Sequence, residues 1–108
     1  MAGYRLTPKA REGFRDILEY LDKRFGAQVA ERVLDRLVAA FEFLAERPGT
    51  GHRREDLTQD ERVLFWSVGL TLIAYRPGSR DPVEILFVER AERDWERLLE
   101  EDNLWSDA

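Results

Sequence analysis

His52 is the single histidine among 108 residues, and the one side chain whose unperturbed pKa suits proton transfer near neutrality. A Ser–His–Asp arrangement would need Ser67, Ser79 or Ser106 beside it. None of the three lies in a G-x-S-x-G pattern, the strand-to-helix elbow that exposes such a nucleophile. His52 therefore reads as a solvated loop histidine. Cysteine is absent, which removes a thiol nucleophile, a disulfide scaffold and any cysteine-built zinc site. A metal would have only carboxylates to join His52. Those carboxylates are spread along expected helices near Lys and Arg, as with Glu31, Asp35 and Arg36, or Glu89 and Arg93, which is how a solvated helix face looks. Neither a phosphate loop of the G-x-x-x-x-G-K-[ST] kind nor a G-x-G-x-x-G fingerprint occurs, and Gly49, Gly51, Gly69 and Gly78 read as turn residues. No metal and no cofactor are expected.

Arginine offers the other chemistry, because its planar fork suits bidentate binding of phosphate or carboxylate. His52-Arg53-Arg54 is the one basic cluster, and Arg62, Arg76 and Arg90 fall at the ends of expected strands, which can converge on one rim of a small sheet. Each arginine taken singly also reads as a surface ion-pair residue. Phe14, Phe25, Phe41 and Phe43 recur at helical spacing and read as core, whereas Trp66 and Tyr75 lie on expected strands. Trp105 stands outside any apolar stripe, next to Leu104 in an acidic tail. It could anchor a partner or fold back over a sheet edge.

The elements that must carry these residues are well signalled. Thr7 can cap a helix whose first position is Pro8, where a missing N–H does no harm. Ala10, Phe14, Ile17, Leu18, Leu21 and Phe25 then form one apolar stripe, and Gly26 is the natural stop. Ala30, Val33, Leu34, Leu37, Phe41 and Leu44 make a second stripe that must end before Pro48. So short a joint forces an antiparallel helical hairpin. Gly3-Tyr4-Arg5-Leu6 could add a strand to a sheet formed later. Arg62–Ser67, Leu70–Arg76 and Val83–Glu89 read as a three-strand antiparallel meander, broken at Val68-Gly69 and at Pro77-Gly78-Ser79-Arg80-Asp81. Alternation puts Leu70, Leu72 and Ala74 on one face and Thr71, Ile73 and Tyr75 on the other. One face is expected to meet the hairpin, and the other to stay partly open to a partner. Ala91, Trp95, Leu98 and Leu99 suggest a short C-terminal helix, followed by the polar stretch 100–108.

The class is α+β: an N-terminal strand, an antiparallel helical hairpin, a three-stranded antiparallel meander and a short C-terminal helix, in one domain spanning 1–108. With 44% hydrophobic residues the chain can fill one core. No stretch approaches the roughly 18 apolar residues of a membrane span, and Met1-Ala2-Gly3-Tyr4-Arg5 does not open a signal peptide, so a cytoplasmic location and no membrane partner are expected. The net charge of -5 argues against direct DNA binding by general phosphate attraction. That charge is local. Residues 1–88 are balanced, while 89–108 carry three arginines against eight acidic residues.

The order of elements, and several stretches within it, resemble the ParE/RelE family of toxins. Tyr4-Arg5-Leu6-Thr7-Pro8-Lys9-Ala10 is similar to that family's strand-to-helix opening. Ile17-Leu18-Glu19-Tyr20-Leu21 with Phe25-Gly26 is similar to its first helix and turn, and Phe43-Leu44-Ala45-Glu46-Arg47-Pro48 with Gly51 to the end of its second. Leu72-Ile73-Ala74-Tyr75-Arg76 followed by Val83-Glu84-Ile85-Leu86-Phe87-Val88 resembles its closing strands, so the likeness covers about residues 4–99.

The resemblance implies a growth-inhibiting toxin of a type II toxin–antitoxin system, held by a ParD-like antitoxin whose flexible segment would lie along the hairpin and reach the sheet. Two activities occur on this fold. ParE-like members poison DNA gyrase by binding, and RelE-like members cut messenger RNA on the ribosome. RNA cleavage must activate a 2′-hydroxyl, stabilise the phosphate and protonate the leaving oxygen. Arg76, Arg90, Tyr75 and His52 would be the residues for it, but the chain lacks a basic C-terminal segment and has no lysine after Lys23. A gyrase inhibitor is therefore the expectation, with the ribosome-dependent endonuclease as the alternative and an inactive antitoxin-binding relative behind both. Arg53, Arg54, Arg62, Arg76, Arg90 and Trp105 are the expected target or antitoxin contacts.

Overall fold

The computed structural model describes residues 3–78 and 82–90. Strand β1 (Tyr4–Leu6) leads into helix α1 (Pro8–Phe25), followed by helix α2 (Ala27–Glu46), a 3-10 turn at Pro48–Thr50, and strands β2 (Leu64–Val68), β3 (Thr71–Arg76) and β4 (Val83–Arg90). The helical hairpin and the meander thus form as their sequence signals indicate. Thr7 does more than cap α1. Its Oγ1 accepts the Ala10 N–H at 3.1 Å, its hydroxyl donates to the Leu86 carbonyl at 3.0 Å, and its own N–H donates to Ile85 at 3.0 Å. The start of the first helix is therefore fastened to the fourth strand. Gly26 alone joins the helices, at φ 97°, a conformation that side chains with a Cβ rarely adopt.

The sheet order is β1-β4-β3-β2, with β1 parallel to β4 and the other pairs antiparallel. The hairpin lies on one face. Ala10, Ile17, Leu37, Phe41 and Leu44 meet Ile73, Tyr75, Val83, Ile85 and Val88 there, and Phe41 is met edge-on by Phe14 with ring centroids 5.7 Å apart. Helix α1 comes so close to β4 that a Cβ on Gly13 would stand 2.2 Å from the Val88 carbonyl oxygen.

The opposite face, expected to be partly open, is filled. Val63, Phe65, Leu72, Ala74, Leu86 and Phe87 are all buried there, with Leu57 packed against them. Two local features account for this. The register slips between Ala74 and Tyr75, which pair with Phe87 and Ile85, so Leu86 is an extra residue and both Leu86 and Phe87 turn to the same side. The loop after the 3-10 turn also comes back, with His52 and Phe65 exchanging backbone hydrogen bonds of 2.8 Å.

Strand ends differ slightly from the sequence expectation. The Asp60 carboxylate accepts the Arg62 N–H at 2.9 Å, holding Arg62 in a turn so that β2 begins at Leu64. Leu70 belongs to the β2–β3 turn beside Gly69, whose φ is 58°. The expected C-terminal helix and the tail lie outside the described residues. No helix among the described residues is long and apolar enough to cross a membrane.

Candidate functional site

Antiparallel pairing separates the arginines that were expected to share a rim. Arg76 lies opposite Glu84 and Arg90 opposite Thr71, at the two ends of the β3–β4 ladder. Five residue steps of about 3.3 Å put their backbones about 17 Å apart.

Arg5, Arg62 and Arg76 sit at one end, where carboxylates answer each of them. Glu84 accepts from Arg5 Nη2 at 2.9 Å through Oε2 and from Arg76 Nη2 through Oε1. Those hydrogen bonds, from Arg76 above all, hold the Glu84 carboxyl below the ordinary glutamate range against the opposing effect of burial. Arg62 grips Asp60 with two bonds, Nε to Oδ1 at 3.0 Å and Nη2 to Oδ2 at 2.9 Å. The Asp60 carboxyl is lowered chiefly by that grip, with the Arg76 charge adding to it. Arg54 grips Asp56 at 2.9 and 2.8 Å, and Arg53 lies 3.9 Å from Glu55. The basic cluster of the loop is thus locally neutralised, each arginine having an acid two residues away. Such a rim is suited to exchanging ion pairs with a partner and poorly suited to holding a bare phosphate.

Tyr75 is fully buried. Its hydroxyl donates to the Pro48 carbonyl at 2.7 Å and accepts the Gly51 N–H at 2.8 Å, clamping the 3-10 turn onto the sheet. Burial pushes its pKa above the ordinary tyrosine value, with the Gly51 N–H pulling the other way. A hydroxyl so placed cannot reach a substrate. The exposed His52 ring stacks on Trp66 with centroids 6.1 Å apart, and Trp66 in turn meets Phe43 at 5.7 Å. Among the described residues no group of His, Cys, Asp and Glu is arranged to hold a metal. Trp105 lies outside the described residues.

The other end of the sheet carries a feature that sequence reasoning missed. A cavity of about 350 Å³ opens between the hairpin and the β2–β3 turn, floored by Ile17, Leu21 and Val33 and edged by Tyr20, Phe25 and Leu70. Tyr20, Phe25 and Leu70 are 39%, 57% and 77% exposed, an unusual concentration of large apolar side chains in water. Arg36 and Arg90 flank the opening, and the Arg90 guanidinium lies 4.0 Å from the centre of the Tyr20 ring. A sequence signal for the site exists in hindsight. Phe25 directly precedes Gly26 and Leu70 directly follows Gly69, and a large apolar residue beside a turn glycine has few neighbours to cover it.

With this geometry in view, the comparisons with known proteins agree. Residues 4–95 match the family model described as the ParE toxin of the type II toxin–antitoxin system parDE. Toxin ParE1 of Caulobacter vibrioides is 35% identical over 88 residues, which cover 82% of this chain and 88% of that one. A chain of the chromosomal ParDE system of P. aeruginosa superposes with a TM-score of 0.69 at 18% identity, covering 85% of this chain and 98% of its own. A chain of the RelBE2 toxin–antitoxin complex of Mycobacterium tuberculosis gives 0.54 at 19% identity, with coverages of 82% and 96%. The two structural likenesses speak for the fold alone. The family match along most of its length identifies the chain as a member of the ParE toxin family of type II toxin–antitoxin systems.

Proposed function

We propose that this toxin inhibits DNA gyrase by binding it, without chemistry of its own, and is neutralised in the cytoplasm by a ParD-like antitoxin. The observation that carries the reading is the dispersal, among the described residues, of the groups expected for RNA cleavage. Arg76 and Arg90 stand at opposite ends of the sheet, the Tyr75 hydroxyl is committed to Pro48 and Gly51, and the arginines near His52 are matched by acids. Among the described residues, a 2′-hydroxyl and phosphate would not meet a base, an acid and a charge stabiliser together in such an arrangement. Binding is what this surface supports.

The antitoxin's flexible segment runs along the hairpin and seats an apolar side chain in the cavity edged by Tyr20, Phe25 and Leu70. Ordering that segment offsets part of the contact energy, so burying this apolar mouth has to supply much of the remainder. Carriage beside an antitoxin gene would also stabilise a plasmid.

The test pairs two assays on the purified chain: supercoiling and DNA cleavage by gyrase, and ribosome-dependent cleavage of a messenger. Inhibited supercoiling with intact transcripts is the expected result, relieved by the antitoxin. Cleaved transcripts with unaffected gyrase would establish the endonuclease instead. Inactivity in both with antitoxin binding retained would mark an antitoxin-binding relative that has lost its toxicity.

A further inference from the structure

The charges at the Arg76 end of the sheet are sorted by depth. Tyr75, Val83 and Ile85 turn toward the hairpin, so alternation along the strands sends Arg76 and Glu84 to the opposite face, and Arg5, between Tyr4 and Leu6, joins them there. Arg5, Glu84, Arg76, Asp60 and Arg62 then follow one another across the sheet from β1 to the turn before β2. The acids lie inside. Glu84 and Asp60 are 20% and 15% exposed, whereas Arg5 and Arg62 are 64% and 57% exposed. Arg54–Asp56 and Arg53–Glu55, in the preceding loop, have the reverse order, with the acid the more exposed member. The rim alone therefore presents guanidinium groups outward on a base of carboxylates.

We infer that this rim docks an acidic surface of the toxin's target, gyrase in the proposal above on which the inference rests, and that it does so apart from the antitoxin's place on the hairpin. Separation in space is the first ground. The rim lies on the face away from the helices, and Arg76 is about 17 Å from Arg90, which flanks the apolar mouth. Preorganisation is the second. An arginine already held by a carboxylate beneath it has given up side-chain freedom before the partner arrives, so less ordering opposes binding. Arg5 gives Glu84 one N–H from Nη2, and a guanidinium has five N–H donors.

The alternation of sign selects the class of partner. Nucleic acid carries its charge in an unbroken row, which would meet Glu84 and Asp60 as well as the arginines. A folded protein can place separate carboxylates over separate arginines. Arg5 and Arg62 stand at the two outer strands, three spacings of about 4.8 Å apart, so the matching acids are spread over about 14 Å. Exposed charges of this kind act chiefly on the rate of association and make it sensitive to salt.

The test uses the full chain, its antitoxin and purified gyrase. Arg5→Gln/Arg62→Gln leaves Arg76 on Glu84 and the Arg62 backbone N–H on Asp60. The toxin concentration that halves supercoiling should rise about tenfold in this variant, and added salt should weaken its inhibition less than it weakens the wild type's. Circular dichroism and antitoxin affinity should match the wild type. Arg5→Lys/Arg62→Lys, which keeps both charges, should recover most of the inhibition. A glutamine variant as potent as the wild type would overturn the inference, and so would equal losses of gyrase inhibition and antitoxin binding. A fluorescent oligoribonucleotide that binds the wild type but not the glutamine variant would assign the rim to nucleic acid instead. Wild-type chain that leaves gyrase unaffected would overturn the gyrase proposal and this inference with it, a result seen before any variant is compared.

Discussion

Replacing Gly13 by alanine sets two well-defined effects against each other. On an isolated helix the change is favourable by about 1 kcal/mol, because alanine is the better helix former. In the folded protein the new methyl would stand 2.2 Å from the Val88 carbonyl oxygen and 3.3 Å from its carbon. Those are backbone atoms of a strand residue paired with Ile73 of β3, so they cannot swing aside as a side chain would. Helix α1 must then retreat from β4 by most of an ångström. Ala10 and Ile17, buried on the same stripe, retreat with it and lose contact with the sheet. A gap of 0.5–1 Å already forfeits a quarter to a half of each dispersion contact. Overpacking of this kind costs about 1–3 kcal/mol, and more where the neighbour is rigid. After subtracting the propensity gain, the net loss is about 2 kcal/mol, which for a domain of this size lowers Tm by about 10 °C. Urea denaturation of Gly13→Ala should show a lower midpoint at unchanged slope. Gly49→Ala is the control, since a Cβ there meets nothing within 4 Å. If Gly13→Ala proves as stable as wild type, helix and sheet are not in the close contact described and the reasoning fails.

Further expectations concern the clamp, the rim and the tail. Tyr75→Phe orphans the Gly51 N–H and the Pro48 carbonyl and should cost about 2 kcal/mol by chemical denaturation, because buried unpaired groups lose about 1–3 kcal/mol each unless water reaches them. The raised Tyr75 pKa predicts wild-type stability that is full below the unfolded value of about 10 and falls as pH climbs toward the folded one, a decline that Tyr75→Phe should lack. Glu84 and Asp60 have lowered folded pKa values, so their contribution is full above the unfolded values of 4.5 and 3.8 and is lost as pH falls through the folded ones. Glu84→Gln should flatten the acid limb of a pH–stability profile; an unchanged limb would show that the Arg5–Glu84–Arg76 bridge contributes nothing. Deleting residues 100–108, which include Leu104 and Trp105, should weaken target inhibition more than antitoxin binding, and equal loss of both in parallel assays would count against the tail as a target contact.

How much was legible from sequence follows from the range of each signal. Thr7-Pro8, Gly26 and Pro48 act on their own backbone, and they mark the helix boundaries closely. The meander was legible because its turns are local as well. The parallel pairing of β1 with β4 was not, since it joins Tyr4–Leu6 to Val83–Ile85, some eighty positions apart, with two bonds from Thr7 to Ile85 and Leu86 beside it. The extra residue at Leu86 breaks strict alternation, so a period of two could not reveal that Leu86 and Phe87 face the same way. Convergence of Arg76 and Arg90 was the wrong expectation for a geometric reason. In an antiparallel pair the C-terminal ends of neighbouring strands lie at opposite ends of the sheet. The exposed trio Tyr20, Phe25 and Leu70 escaped because two of its members mimic ordinary core residues of a helix and a strand, and only assembly leaves them uncovered.

The place of β4 also governs when the protein comes into being. It is the last of the described strands to be synthesised, yet it lies between β1 and β3, under α1, and holds Thr7 at the head of the first helix. A growing chain that has made only β1 and the two helices has nowhere to lay their apolar stripes. Synthesis runs at about 5–20 residues per second, so the nascent chain spends seconds with its hairpin exposed before the sheet can close. Messages cut short before the codons for Val83–Arg90 should yield fragments without a core and therefore without toxicity. A cell making this protein is exposed to it only once Val83–Arg90 has been translated, after both helices and the other three strands, which gives a separately made antitoxin time to be waiting.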